Sequence, residues 1–147
     1  MGEVSAEDEA FPELSAPEPL SSSHDASDFC SGSETRDDWL RRRAFKNEET
    51  GASRTYVICA GSKVRGYYCL AAGSAELAHA PGRVRRNMPD PVPVMVIGRL
   101  AIHSGLQGGG LGLDLLRDAI LRIRQAARIV GIRAILVHAL SEDAARF

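Results

Sequence analysis

The sequence predicts an α+β domain with a mixed central sheet, on three observations. Arg54–Ala60 and Val64–Ala72 are β-branched and aromatic runs separated by Gly61-Ser62-Lys63, the pattern of a hairpin. Val94–His103 is an almost unbroken apolar run, which suits a strand covered on both faces. A glycine-rich stretch, an amphipathic helix and a second apolar run, Arg133–Leu140, follow it in the order of a parallel pair joined by a crossover.

The elements follow in chain order. Residues 1–13 are acidic and poor in apolar side chains, which predicts a disordered leader, with the folded domain spanning 14–147. Pro12, Pro17 and Pro19 exclude a helix near Leu14–Leu20 and leave a short extended piece. A helix begins near Ser33–Thr35, where Thr35-Arg36-Asp37-Asp38 fits a capping pattern, and it ends at Thr50-Gly51. After the hairpin, residues 73–93 form a long connection carrying Arg83, Arg85 and Arg86. Gly98 inside the next strand predicts a bulge or a close backbone approach. The second long helix runs from about Leu111 to Val130, with Leu116, Ile120, Ile123, Ala127 and Val130 on one face. Ser141-Glu142-Asp143 opens a last helix that reads as cut short.

Composition bounds the function class. The chain has 147 residues, 18 Lys+Arg, 19 Asp+Glu and a net charge of −1. That near-neutral total hides an asymmetry. Residues 1–38 hold eleven acidic residues and one basic, for −10; residues 39–147 hold seventeen basic and eight acidic, for +9. Such a body suits a polyanionic partner, although solvated arginine-rich helix faces carry the same signal. No apolar run approaches a membrane span, and the acidic N-terminus lacks the order of a secretory signal. Cys30, Cys59 and Cys69 form no CxxC and read as reduced thiols of a cytoplasmic protein.

The chemistry concentrates in Ser104–Gly112, with five glycines in nine residues. Glycine permits the positive φ angles that let successive N–H groups converge, and a helix N-terminus adds unpaired donors and a positive dipole end. The product is an anion site suited to a pyrophosphate. The loop lacks Gly-Lys-[Ser/Thr] and the dinucleotide GxGxxG context, so neither standard nucleotide loop applies.

Gln107-x-x-Gly110-x-Gly112 matches the [Gln/Arg]-x-x-Gly-x-[Gly/Ala] signature of the GNAT N-acetyltransferases, in the strand–loop–helix setting that family requires. Trp39–Asn47, Ser53–Val57, Gly66-Tyr67-Tyr68, Pro81–Pro89, Pro93–Ala101 and Val137–Ser141 resemble one subgroup, the GNAT toxins of bacterial toxin–antitoxin systems. The resemblance implies a GNAT acyl-CoA N-acyltransferase fold and acetyl-CoA as co-substrate. It also implies acetylation of the amine of aminoacyl-tRNA, inhibition of translation, a ribbon-helix-helix antitoxin and a possible homodimer. It places the pyrophosphate on Gln107, Gly108, Gly109, Gly110, Leu111 and Gly112, and the pantetheine arm on Leu100, Ala101 and Ile102. Arg83, Arg85, Arg86, Arg42 and Lys46 become the candidate RNA contacts.

The sequence departs from the family pattern in two places. Gly109 stands where GNAT loops commonly carry Arg or Lys. The family continues past Phe147 with a tyrosine that protonates the departing thiolate, so the last helix and final strands are expected to be missing. Tyr56, Tyr67 and Tyr68 read as core packing and His138 as structural, so no catalytic residue is assigned. Two alternatives stay open: a GNAT acting on another amine, such as a protein N-terminus or small metabolite, and a non-catalytic remnant that binds antitoxin or RNA.

Overall fold

The computed structural model describes residues 13–75, 82, 86 and 91–137. The expected leader and the expected C-terminal helix, with His138, lie outside them, as do Arg83 and Arg85. Five strands form one sheet in sequential order: β1 (Glu18–Pro19), β2 (Arg54–Ala60), β3 (Lys63–Ala75), β4 (Val92–Ile102) and β5 (Ala134–Val137). Neighbours pair antiparallel from β1 to β4, and β4 pairs with β5 in parallel, so the sheet is mixed as expected.

Helix α1 is one continuous rod in three segments, Glu34–Trp39, a π-helical turn at Leu40–Ala44, and Phe45–Thr50. Its cap is Ser33, not the expected Thr35: the Ser33 hydroxyl accepts from the Arg36 amide at 3.4 Å. Asp37, expected to serve the dipole, is buried and accepts from both the amide and the hydroxyl of Ser31. The π turn carried no sequence signal, because Arg41–Arg43 are exposed whatever the helix pitch. Gly51 ends α1 at φ 79°, the left-handed C-cap that the Thr50-Gly51 pair predicts.

Helix α2 spans Leu111–Ala126, four residues shorter than expected. Its buried stripe is Leu115, Ala119 and Ile123; Ile120 and Val130 are exposed. The apolar pattern is therefore rotated by one residue at its start, because Ala119 lets the helix sit close to the sheet while Ile120 faces out. The strands also differ at their ends. β3 runs three residues past Ala72, and β4 starts at Val92 and stops before His103. β5 is not a strand covered on both faces: Ile135, Leu136 and Val137 are 37%, 43% and 51% exposed, at the edge of the described sheet.

Two cores sandwich the sheet. One joins Leu40 and Ala44 of α1 to Val57, Cys59, Tyr67 and Ala101. The other joins Leu115, Ala119 and Ile123 of α2 to Ile58, Tyr68, Ile97 and Ile102. Alternate residues of each strand serve opposite faces. Residues 13–31 form a strap along this frame. Leu20 donates to Thr55 O at 2.9 Å, and Asp25 bridges Ser62 and Val64 across the hairpin turn. No helix among the described residues is long and apolar enough to cross a membrane.

Candidate functional site

The site begins at a bulge in β4. Cys69 pairs with Arg99 and Leu70 with Ile97, so Gly98 has no partner on β3. Its φ is ordinary, but a Cβ there would sit 3.1 Å from Cys69 Sγ. This is the close approach that Gly98 predicts. On its other side, β4 pairs with β5 from Val94 to Ile97. Among the described residues, Leu100, Ala101 and Ile102 make ladder bonds to β3 alone; β5 is described as far as Val137, opposite Ile97.

β4 runs directly into the glycine loop. A 3₁₀ turn at Ser104–Leu106 leads to Gly108 at φ 86° and Gly110 at φ 88°, and Gly110 caps α2. A Cβ on either glycine would meet nothing within 4 Å, so it is the backbone angle that requires glycine. Asp114 closes the first helical turn on Gly110 O at 3.1 Å. Among the described residues, the amides of Gly108 through Leu113 donate to no protein acceptor. They gather at the positive end of a sixteen-residue helix with no acidic side chain before Asp114. That donor set suits an anion.

The loop is braced from behind. Gln107 Nε2 donates to Ser31 O at 2.6 Å and Ile102 O at 2.8 Å, tying the loop to both the strap and β4. Cys30 donates its amide to His103 Nδ1 at 3.1 Å, and its carbonyl accepts from the Ser104 amide at 2.8 Å and hydroxyl at 2.7 Å. The motif points to Gln107 but not to Ser31 or Cys30, whose bonds to this loop span more than seventy positions of the chain.

The tyrosines are core, as expected. Tyr67 donates to Arg36 O at 2.8 Å, and Tyr68 to Asp118 Oδ2 at 2.5 Å. Burial raises both phenols above their ordinary range, and for Tyr68 the Asp118 carboxylate raises it further. Among the RNA candidates, Arg42, Lys46 and Arg86 are exposed. Arg99 was not singled out; it lies over the Trp39 ring, 5.1 Å from the centroid.

Glu18, His24 and Cys59 bring three donor atoms within 4.8 Å of one another. His24 already uses both nitrogens, accepting from the Ser21 amide at 2.9 Å and meeting Glu18 Oε1 at 2.9 Å. Burial pushes the Cys59 thiol up to about 11, so it stays protonated. The strap is held to β2 here by Ser15, whose amide donates to Cys59 O at 2.8 Å and whose hydroxyl accepts from the Cys59 amide at 2.9 Å.

A mixed sheet whose bulged strand pairs in parallel with β5 and feeds a glycine loop and a helix N-terminus is the architecture of a GNAT-type acyl-CoA N-acyltransferase. Comparison with known proteins narrows the class. The chain is 54% identical over 133 residues to a "tRNA-acetylating toxin" of Mycobacterium tuberculosis, covering 90% of this chain and 80% of the relative. It is 31% identical over 128 residues to a "Probable toxin TacT" of Sinorhizobium fredii, covering 84% and 71%. Among solved structures, AtaT complexed with acetyl-methionyl-tRNAfMet superposes with a TM-score of 0.84 at 30% identity, over 92% of this chain and 83% of the other. AtaTR bound with acetyl-CoA superposes at 0.79 and 30% identity, over 91% and 81%. No family model matches the chain. The chain belongs to the family of tRNA-acetylating GNAT toxins.

Proposed function

We propose that this chain is a bacterial, cytoplasmic N-acetyltransferase toxin that moves an acetyl group from acetyl-CoA to the α-amine of aminoacyl-tRNA and thereby stops translation. One observation carries the reading. The unpaired amides at Gly108–Leu113 follow directly on β4, in a chain 54% identical to a tRNA-acetylating toxin.

Those donors fit acetyl-CoA, which supplies the acetyl group already activated as a thioester. Gly108, Gly109, Gly110, Leu111 and Gly112 hold the pyrophosphate through backbone N–H groups, whereas the Gln107 amide, expected among them, is already spent on Ser104 O at 3.3 Å and Gln107 serves as the brace. Leu100, Ala101 and Ile102 offer the backbone of β4 beside the loop to the amide-bearing pantetheine arm. The Gln107 brace keeps strand and loop in register. The α-amine titrates near pH 8 and is itself a nucleophile, so positioning replaces a covalent enzyme intermediate. Arg42, Lys46 and Arg86, with Arg83 and Arg85 on the same connection, hold tRNA phosphates.

Solved relatives include AtaT bound to the C-terminus of its antitoxin AtaR, and a KacTA–DNA complex. We infer an antitoxin partner for this chain, of the ribbon-helix-helix type that the resemblance implies, and a homodimer. The test is labelled acetyl-CoA with charged tRNA, uncharged tRNA and a protein acceptor in parallel. Label on charged tRNA alone is expected. Label on protein instead, or none, overturns the reading.

A further inference from the structure

Each face of the sheet carries an arginine stacked on an aromatic ring, and the two are not equally satisfied. On the α2 face, Arg122 lies 4.1 Å from the Tyr56 centroid. It also pairs with Asp118 at 2.8 Å and donates to Pro17 O at 3.1 Å. On the α1 face, Arg99 lies 5.1 Å from the Trp39 centroid. Among the described residues, Arg99 makes no ion pair and no side-chain hydrogen bond.

The Arg99 stack is built from below. Trp39 stacks on Tyr67 at 5.9 Å and 9° between planes, and Tyr67 meets the buried Phe29 edge-on at 5.7 Å. Tyr67 is fixed in turn by its bond to Arg36 O, at the start of α1. The guanidinium is half-buried and backed by an aromatic column, so little rotamer freedom remains for it to lose on binding. It is the only charged side chain on β4. It follows the Gly98 bulge directly, four residues before His103, where β4 gives way to the glycine loop. Leu100 and Ile102 turn toward the α2 core, whereas Arg99 and Ala101 turn toward α1.

An oriented, partly desolvated guanidinium with its hydrogen-bonding fork unfilled suits a planar or tetrahedral oxyanion held by two parallel bonds. We propose that Arg99, stacked on Trp39, is a positioning residue that grips a phosphodiester next to the aminoacylated 3′ end of the RNA acceptor, setting the amine beside the end of β4 that leads into the glycine loop. The proposal rests on the aminoacyl-tRNA reading above. It assigns to Arg99 a contact within the site, separate from the outlying contacts of Arg42, Lys46 and Arg86.

The test compares wild type, Arg99→Ala and Arg99→Lys with two acceptors: a charged RNA minihelix, and aminoacyl-adenosine, which has the same amine and no phosphate. For Arg99→Ala, KM for the minihelix should rise at least about tenfold while kcat stays within about threefold. KM for aminoacyl-adenosine and affinity for acetyl-CoA should match wild type. Arg99→Lys should recover part of the loss, because it keeps the charge without the fork. Binding of the uncharged minihelix should lose about one unit of salt slope in Arg99→Ala. Equal losses on both acceptors, a minihelix KM within twofold of wild type, or weakened antitoxin binding with RNA binding intact would each overturn the proposal. Thermal melts of the variants separate misfolding from these outcomes. If wild type acetylates neither acceptor, the functional reading fails, and the minihelix binding comparison still judges Arg99.

Discussion

Gly98 and the glycines of the 108–110 loop lie within thirteen residues of one another, yet glycine is needed at the two places for opposite reasons. Gly98 has an ordinary φ and no room, since an added Cβ would stand 3.1 Å from Cys69 Sγ. Gly108 and Gly110 have open space around them and φ values of 86° and 88°. The first glycine lets two strands close on each other so that β4 bulges. The others let the backbone turn so that its amides face outward. One site thus combines a packing constraint with a conformational one, and the two respond to different substitutions.

Gly98→Val should be the most damaging change. Forcing a branched side chain against Cys69 should cost about 3 kcal/mol, read as a lower urea midpoint at unchanged m. In a Cys69→Ala background, Gly98→Ala should cost roughly 0.5–1 kcal/mol less than in wild type, because the obstructing sulfur is gone. Additive costs would show that Cys69 is not the obstacle. Gly110→Val meets no atom but must hold a left-handed φ, so about 1–2 kcal/mol is expected. The loop can relax locally, so acetyl-CoA affinity should fall about tenfold while β-sheet protection from hydrogen exchange persists. An unchanged affinity would disconnect the left-handed turn from the anion site.

Alkaline pH sharpens the contrast between the closed sheet and the exposed loop. Burial raises Cys59 to about 11, and it also raises Cys69, which packs against Gly98. The unfolded chain loses these thiol protons first. Stability is therefore complete below the ordinary thiol range and declines as pH rises toward 11. Native thiol labelling at pH 8 should modify the exposed Cys30, beside the loop, well before Cys59 or Cys69. Equal labelling rates would contradict their burial. The smallest effect is expected at Gly109, whose φ is ordinary and whose nearest foreign atom is Leu106 O at 3.9 Å. Gly109→Arg should leave the urea midpoint nearly unchanged and tighten acetyl-CoA binding by about 0.5 kcal/mol, or two- to threefold.

Much of the fold was legible because its signals are local. β2 falls on Arg54–Ala60 as the β-branched run predicts, α1 ends on Gly51, and the bulge lies at Gly98. The stripe of α2 was misplaced because periodicity cannot distinguish Ile120 from Ala119 when the small residue is the one that allows close contact. The cap was misplaced because Ser33 and Thr35 are equally good acceptors by type, and only the packing of Asp37 against Ser31 sets where the helix starts.

The residues alone determined the strand–loop–helix order, the glycine positions and the charge asymmetry, since each depends on backbone preference or composition within a few residues. Tertiary structure decided which distant groups complete the site. Ser31 and Cys30 reach the loop through bonds spanning more than seventy positions, and Trp39 meets Arg99 from another element. Such contacts have no periodicity and no spacing, because they arise only when the sheet brings separate segments to the same place.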